Sequence, residues 1–473
     1  MKSINKAYNI STIRSKLIFV LIIELLCIYQ VNSQTSTGFG NITINTTATD
    51  PTKGKWTTVG TVSTFVPLLN GSNVSVSDIQ SYLTNGDVII STSCTKCAES
   101  GTISVTSGIT YSQIGLPKSF NLNANSNIYI SSIINFSTNS SGKTGQKTVS
   151  INLTSNNGDI ISKGLINTNN TSGEDRSECG NVFLKSQNGS VQVNSDINTS
   201  TKSTNNGSFC IGGNLEIYGK NGVTINANIN CTSEKSGYLT ITDNNSTLSA
   251  TDFTNQGQIS GTIKVASFEK SGTGIFQLKG ANVWTGNTTI SGGSLSLGLD
   301  NAVPTSSNLV FNGGDYKPNG YNTTVKTITL SGSNSSTVTF DAAQSSTFTF
   351  DSLIDNTTQA GTYLTIKGWQ GFSQAIALTK NGALASKSIS NDFVTTNGAL
   401  QKVTNPSGIT QYGQILTTAI GGSGGLKGKL FTTTITATGS SRIKNLIQFF
   451  NSTDNKYYQS QIISTKEIIP VNP

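Results

Sequence analysis

Histidine is absent from the 473 residues, which removes the usual general base and the Ser-His-Asp and Cys-His nucleophile arrangements. Carboxylate pairs remain as a route to glycosidic cleavage. The densest acidic run, Glu174-Asp175-Arg176-Ser177-Glu178, reads as solvated charge on an outer loop, with catalysis or calcium binding as the alternative. Asp87 and Asp159 follow Asn-Gly pairs and read as turn-stabilising. No pair stands out as catalytic, and no cofactor or metal motif is present. Of the six cysteines, Cys27 lies in the N-terminal apolar segment. Cys94-Thr-Lys-Cys97 has redox-motif spacing without a βαβ context, and reads as a local disulfide in an exported loop. A single Cys-x-x-Cys pair without histidine is a poor zinc site. Cys231 has no assigned partner.

Trp284, Trp369, Tyr316 and Tyr321 offer rings for a carbohydrate-stacking surface, Trp284 and Trp369 foremost; inward packing is the alternative. About twenty Asn-x-Ser/Thr sequons occur, among them Asn41, Asn45, Asn152 and Asn287, each a glycan acceptor in a eukaryotic host. A chain this rich in Asn, Ser and Thr yields roughly fifteen by chance, so the sequons do not identify the host.

The N-terminus reads as a signal peptide over residues 1–33. Lys2, Lys6, Arg14 and Lys16 precede the apolar run Leu17 to Tyr29, and Val31 and Ser33 stand where small residues precede a cleavage site. The apolar run is shorter than the roughly 20 residues a spanning helix needs and holds Glu24, and no later segment is apolar enough to span a bilayer. The mature chain is therefore expected to be extracellular or surface-located without a transmembrane span. Charged residues are only 11% of the chain, and the net charge of +8 is scattered, which gives no nucleic-acid footprint.

These residues need a scaffold, and the scaffold is repetitive. Ile151-Asn-Leu-Thr-Ser-Asn-Asn-Gly-Asp-Ile-Ile, Val182-Phe-Leu-Lys-Ser-Gln-Asn-Gly-Ser-Val-Gln-Val and Leu215-Glu-Ile-Tyr-Gly-Lys-Asn-Gly-Val-Thr-Ile align, with relatives at Phe120 and Leu239. Each alternates apolar and polar residues on both sides of a polar turn. The Asn-Gly turns at 157, 188 and 221 recur about every 31 to 33 residues. Asn-Gly also signals hairpins, so an antiparallel meander is the alternative, but the long regular period favours stacked coils. The expected fold is all-β: a right-handed parallel β-helix (β-solenoid) with polar loops and a β-rich C-terminal cap. Leu153, Leu184 and Ile217 would form one inward ladder, Ile160, Val191 and Val223 another, and Asn157, Asn188 and Asn221 would stack at the turn. Thr168 to Glu178 and Thr199 to Asn206 would loop outward. Cys179 and Cys210, in similar places before successive strands, would come within disulfide reach across coils about 4.8 Å apart.

Residues 75–262 resemble the coils of filamentous-haemagglutinin-like secreted adhesins, with Ile79 to Thr92 similar to an early coil. Phe268 to Leu295 is similar to the passenger-associated repeat of autotransporters, with Lys270, Gly272, Gly274, Leu278, Gly280, Asn282, Thr285, Gly286, Thr288, Ile290, Gly293 and Leu295 at matching positions and Trp284 where an aromatic is common. The domain reading is a signal peptide at 1–33, an N-terminal β segment or cap at 34–74, haemagglutinin-like coils at 75–262, passenger-repeat coils at 263–345, a β-rich continuation at 346–429 and a C-terminal segment or cap at 430–473. Nothing near the C-terminus reads as the alternating strands of an outer-membrane barrel. The resemblance implies a passenger-like adhesin that meets a receptor, glycan or matrix component and is not an enzyme. The alternatives are a secreted polysaccharide-degrading β-helix enzyme and a passive matrix or coat glycoprotein.

Overall fold

The computed structural model describes residues 38–112, 117–138, 147–170, 178–201, 211–231, 238–243, 257–341, 346–359 and 362–368, and short strands between 379 and 471. The signal segment, Trp369, Cys210 and residues 174–177 of the acidic run lie outside the described residues.

Alternation in the sequence becomes alternation of burial. In Ser150–Ser155 every second side chain is buried, and Val182–Ser186 follows the same rule. Such strands satisfy their backbone only by pairing on both sides, and here they pair in parallel with the next turn of the chain. Ile151 is in register with Val182 and Val182 with Leu215; Leu153, Leu184 and Ile217 form the neighbouring ladder. A second face stacks Ile160, Val191 and Val223. The chain is a β-solenoid of parallel coils, so the Asn-Gly pairs join two faces of one coil and are not hairpin turns. Fully buried Leu and Ile side chains of these ladders each contribute about 1.5–3 kcal/mol of hydrophobic stabilisation.

A third face consists of two-residue strands, among them Ile134–Asn135, Ile166–Asn167, Ile197–Asn198 and Ile229–Asn230. Thr168 and Thr199, expected in outward loops, instead point inward beyond it. Each is fully buried, and their hydroxyls donate to the carbonyls of Gly180 and Gly213, both at 2.6 Å. A threonine can lie in a core where a backbone acceptor is fixed beside it, and the hydrophobic pattern alone does not reveal that acceptor.

The coil shortens along the chain. Asn152 and Asn121 stack 31 residues apart, whereas Asn308 and Asn287 stack 21 apart. The third face ends at Ile263–Lys264, after which coils are built on two strands, such as Asn287–Ile290 and Ser294–Leu297. Aromatic residues fill the narrower interior: Phe268, Phe276, Trp284, Phe311, Tyr316, Phe348 and Phe350 are all buried.

Both described ends depart from parallel pairing. Gly54–Val59 and Val62–Pro67 form an antiparallel hairpin, and Val62–Pro67 then pairs with Asp87–Ser91 to open the first face. Residues Val76–Asn85, expected to begin an early coil, form a helix. Ser75 caps it by accepting from the Ser77 amide, and Ile79 and Leu83, one turn apart, bury the same side. The helix covers the open edge of the third face, where Gln80 Nε2 donates to the Thr110 carbonyl and Tyr111 donates to that of Leu83. At the other end, Ile447–Asn451 adds a parallel strand to Leu364–Lys367 before antiparallel pairing with Lys456–Ile462. No helix among the described residues is long and apolar enough to cross a membrane.

Candidate functional site

The segment with the sharpest motif, 268–297, faces inward. Lys270 lies in the column of Ile241 and Ile290 and is fully buried. Its ammonium donates to the carbonyls of Ser271, Gly272 (3.4 Å) and Gly292 (3.5 Å). The turn between the two faces is made by glycines, and Gly293 takes a φ of 58° with its Cα side against the carbonyls of Gly274 and Gly272. Lysine is long enough to reach these otherwise inward-pointing carbonyls from a core position.

Asn282 bridges three levels of the stack. Its Oδ1 accepts from the Ile263 amide at 2.9 Å, and its Nδ2 donates to the Ala302 carbonyl at 2.8 Å. This pair of bonds replaces part of the third face where that face ends. Trp284 is 2% exposed and stacks on Phe268 at 5.6 Å between ring centroids. Its indole N–H is shared between the hydroxyls of Thr288 (2.8 Å) and Ser307 (3.1 Å). Trp284 therefore packs in the core and presents no ring to a glycan, because the short coil needs its volume. Tyr316 is likewise buried; its hydroxyl bonds to Thr323 at 2.7 Å, and burial holds it protonated far above the usual tyrosine range.

Residues 268–297 match the Passenger-associated-transport-repeat family. That repeat is found in autotransporter passenger domains, and it points to a passenger-like, broadly adhesin-like domain with an extracellular or surface location. No curated protein and no solved structure gives a significant match to the chain. In this chain the passenger-associated transport repeat is a structural cassette: Lys270, Asn282 and Trp284 each satisfy or fill the interior of the shortened coil.

Cys94 and Cys97 are joined, Sγ to Sγ at 1.93 Å, where Gly38–Phe39 pairs antiparallel with Ser93–Cys94. Cys179 is buried, and its Sγ donates to the Ser200 carbonyl at 3.1 Å. Cys231 is a free, fully buried thiol; burial pushes it up to about 12, offset only slightly by a hydrogen bond with Thr199. Glu178, at the end of the acidic run, pairs with Lys147 of the preceding coil at 3.2 Å. Asp87 and Asp159 link coils rather than turns alone: each accepts from the backbone amide and hydroxyl of a serine one coil on, Ser119 and Ser190. Asp315 is held above the usual carboxylate range by burial, despite Lys317 at 3.6 Å and the nearby Lys367.

The sequon asparagines do structural work. Asn41 Oδ1 accepts from the amides of Gly101 (3.1 Å) and Thr102 (2.8 Å), and Asn45 Oδ1 from that of Thr47. Asn152 Nδ2 donates to Asn121 Oδ1 at 2.8 Å, and Asn287 Oδ1 accepts from Asn308 at 3.2 Å. On the third face Asn198 Oδ1 accepts from both the amide and the hydroxyl of Ser200. Asparagine with a hydroxyl two residues on is thus a corner device here.

The outward side of the first face changes character over two coils, a feature that alternation alone does not reveal. Asn152 and Thr154 stand on one coil and Thr240 and Thr242 on another. On the two coils between them, in the same two columns, stand Phe183 with Lys185 and Glu216 with Tyr218. The signal was present as a break in the Asn and Thr pattern at outward positions of aligned repeats.

Proposed function

We propose that the chain is an exported, adhesin-like solenoid that presents its outward columns and polar loops to a receptor, glycan or matrix component. The observation that carries this reading is the inward orientation of the passenger-associated transport repeat. Lys270, Asn282 and Trp284 are consumed by the interior, so the repeat serves as a spacer and the coil surface is left for contact. A stack of parallel coils sets equivalent outward positions at about 4.8 Å intervals, which suits distributed, multivalent attachment. Export fits the signal-like segment at 1–33 and the joined pair Cys94 and Cys97, since disulfides persist outside the cytosol.

Fractionation of the producing cell with protease shaving locates the chain, and attachment of the purified chain to host cells or matrix-coated surfaces measures its activity. Surface or medium localisation together with saturable attachment is the expected result. Confinement to the cytoplasm, or no attachment above that of an unrelated solenoid, overturns the reading.

A further inference from the structure

The two coils carrying Phe183, Lys185, Glu216 and Tyr218 form a shallow groove of about 380 Å³, completed by Gln187 and Thr240. Phe183 and Tyr218 lie on one diagonal of this patch, Lys185 and Glu216 on the other, because Phe183 is in register with Glu216 and Lys185 with Tyr218. The Lys185 ammonium stands 5.8 Å from the centre of the Tyr218 ring. The Glu216 carboxylate forms no ion pair and no hydrogen bond among the described residues, although a lysine stands on the adjacent coil. The strands beneath are paired on both sides, so no free edge is offered to an extended peptide.

We propose that this patch is a subsite for a neutral oligosaccharide lying across the two coils, along the diagonal from Phe183 to Tyr218. The inference rests on the adhesive reading above and names its ligand class. Sugar rings present apolar C–H faces that stack on aromatic rings, and hydroxyls that both donate and accept. Phe183 and Tyr218 supply two such rings on adjacent coils, and as diagonal neighbours, roughly 7–8 Å apart, they are within reach of two successive sugars of one chain. Glu216 accepts from hydroxyls, Lys185 donates to them, and Gln187 and Thr240 do both. The opposite charges set the class: an anionic polymer meets Glu216 and a cationic one meets Lys185, whereas a neutral polyhydroxyl chain uses both.

Calorimetric titration of the full secreted chain with cellohexaose, β-1,4-mannohexaose and chitohexaose tests the proposal, with hexagalacturonate as the anionic control. At least one neutral hexasaccharide should bind. Tyr218→Ala and Phe183→Ala should each weaken it by at least about tenfold, with thermal melting unchanged. Tyr218→Phe, which keeps the ring, should weaken it less than Tyr218→Ala. Binding indifferent to both alanine variants overturns the subsite, as does tighter binding of hexagalacturonate. If none of the neutral hexasaccharides binds while the wild-type chain still attaches to cells or matrix, the subsite falls and the adhesive function stands.

Discussion

Lys270 is paired in parallel register with Ile241, so a lysine continues a column of aliphatic core side chains. Its ammonium serves the carbonyls of the glycine turn, among them Gly272 and Gly292. Lys270→Ala should remove both the packing and the donor, at a cost of about 3 kcal/mol locally. Lys270→Met restores the volume but not the donor and should recover part of that loss. Hydrogen exchange over 268–297 measures both. Equal protection in wild type and Lys270→Ala would refute the role assigned to the ammonium.

Cys231 follows Asn230 at the corner of the third face and is wholly enclosed, with its thiol pushed up to about 12 by burial. A thiol that is neither ionised nor accessible does not alkylate. The peptide bearing Cys231 should stay unmodified by iodoacetamide at pH 8 in the native chain and be labelled fully in denaturant. Peptide mapping by mass spectrometry reads the outcome.

Asp315 gives a pH dependence whose sign follows from burial. Its folded pKa lies above its ordinary value, so between the two values the folded chain holds more protons than the unfolded one. Its contribution to stability is therefore greatest at low pH and is lost as pH rises through the folded value. Compared with Asp315→Asn, wild type should lose melting temperature as pH is raised from about 3 to about 7. A difference that stays flat or grows in favour of wild type would contradict the burial argument.

Gly189 lies against the preceding coil, where an added Cβ would stand 2.3 Å from the Gly158 carbonyl oxygen. Backbone cannot yield there without parting the coils. Gly189→Ala should destabilise the chain by about 1–3 kcal/mol, visible as a lower denaturation midpoint.

Asn152 and Asn287 separate structural from modifiable sequons. The Asn152 amide nitrogen is spent on Asn121, whereas Asn287 uses its oxygen and begins an exposed end of its strand. In secreted material from a eukaryotic host, glycopeptide mapping should find sugar at Asn287 and none at Asn152. A glycan at Asn152 in folded chain would show that the stacked position leaves room for a sugar on that nitrogen.

The fold was legible where one rule governs many residues. Alternation and the recurring Asn157-Gly158, Asn188-Gly189 and Asn221-Gly222 turns sufficed to place Leu153, Leu184 and Ile217 in one ladder, because parallel stacking repeats each position's environment. The passenger-associated transport repeat was legible as a motif for the same reason. The third face was not, since two residues such as Ile166–Asn167 carry no period. Nor was the helix Val76–Asn85, whose apolar residues make sense only against the edge they cover.

Sequence by itself determined that the chain forms coils and which side chains of the regular strands turn inward, because burial alternates with a period of two. Tertiary structure alone decided the fate of individual polar and aromatic groups. Whether Trp284 meets a ligand or fills the core depends on coil width, and whether Thr168 is looped out or buried depends on the carbonyl of Gly180 beside it. Phe183 and Tyr218, separated along the chain, become one surface only when the register of adjacent coils sets them on a diagonal.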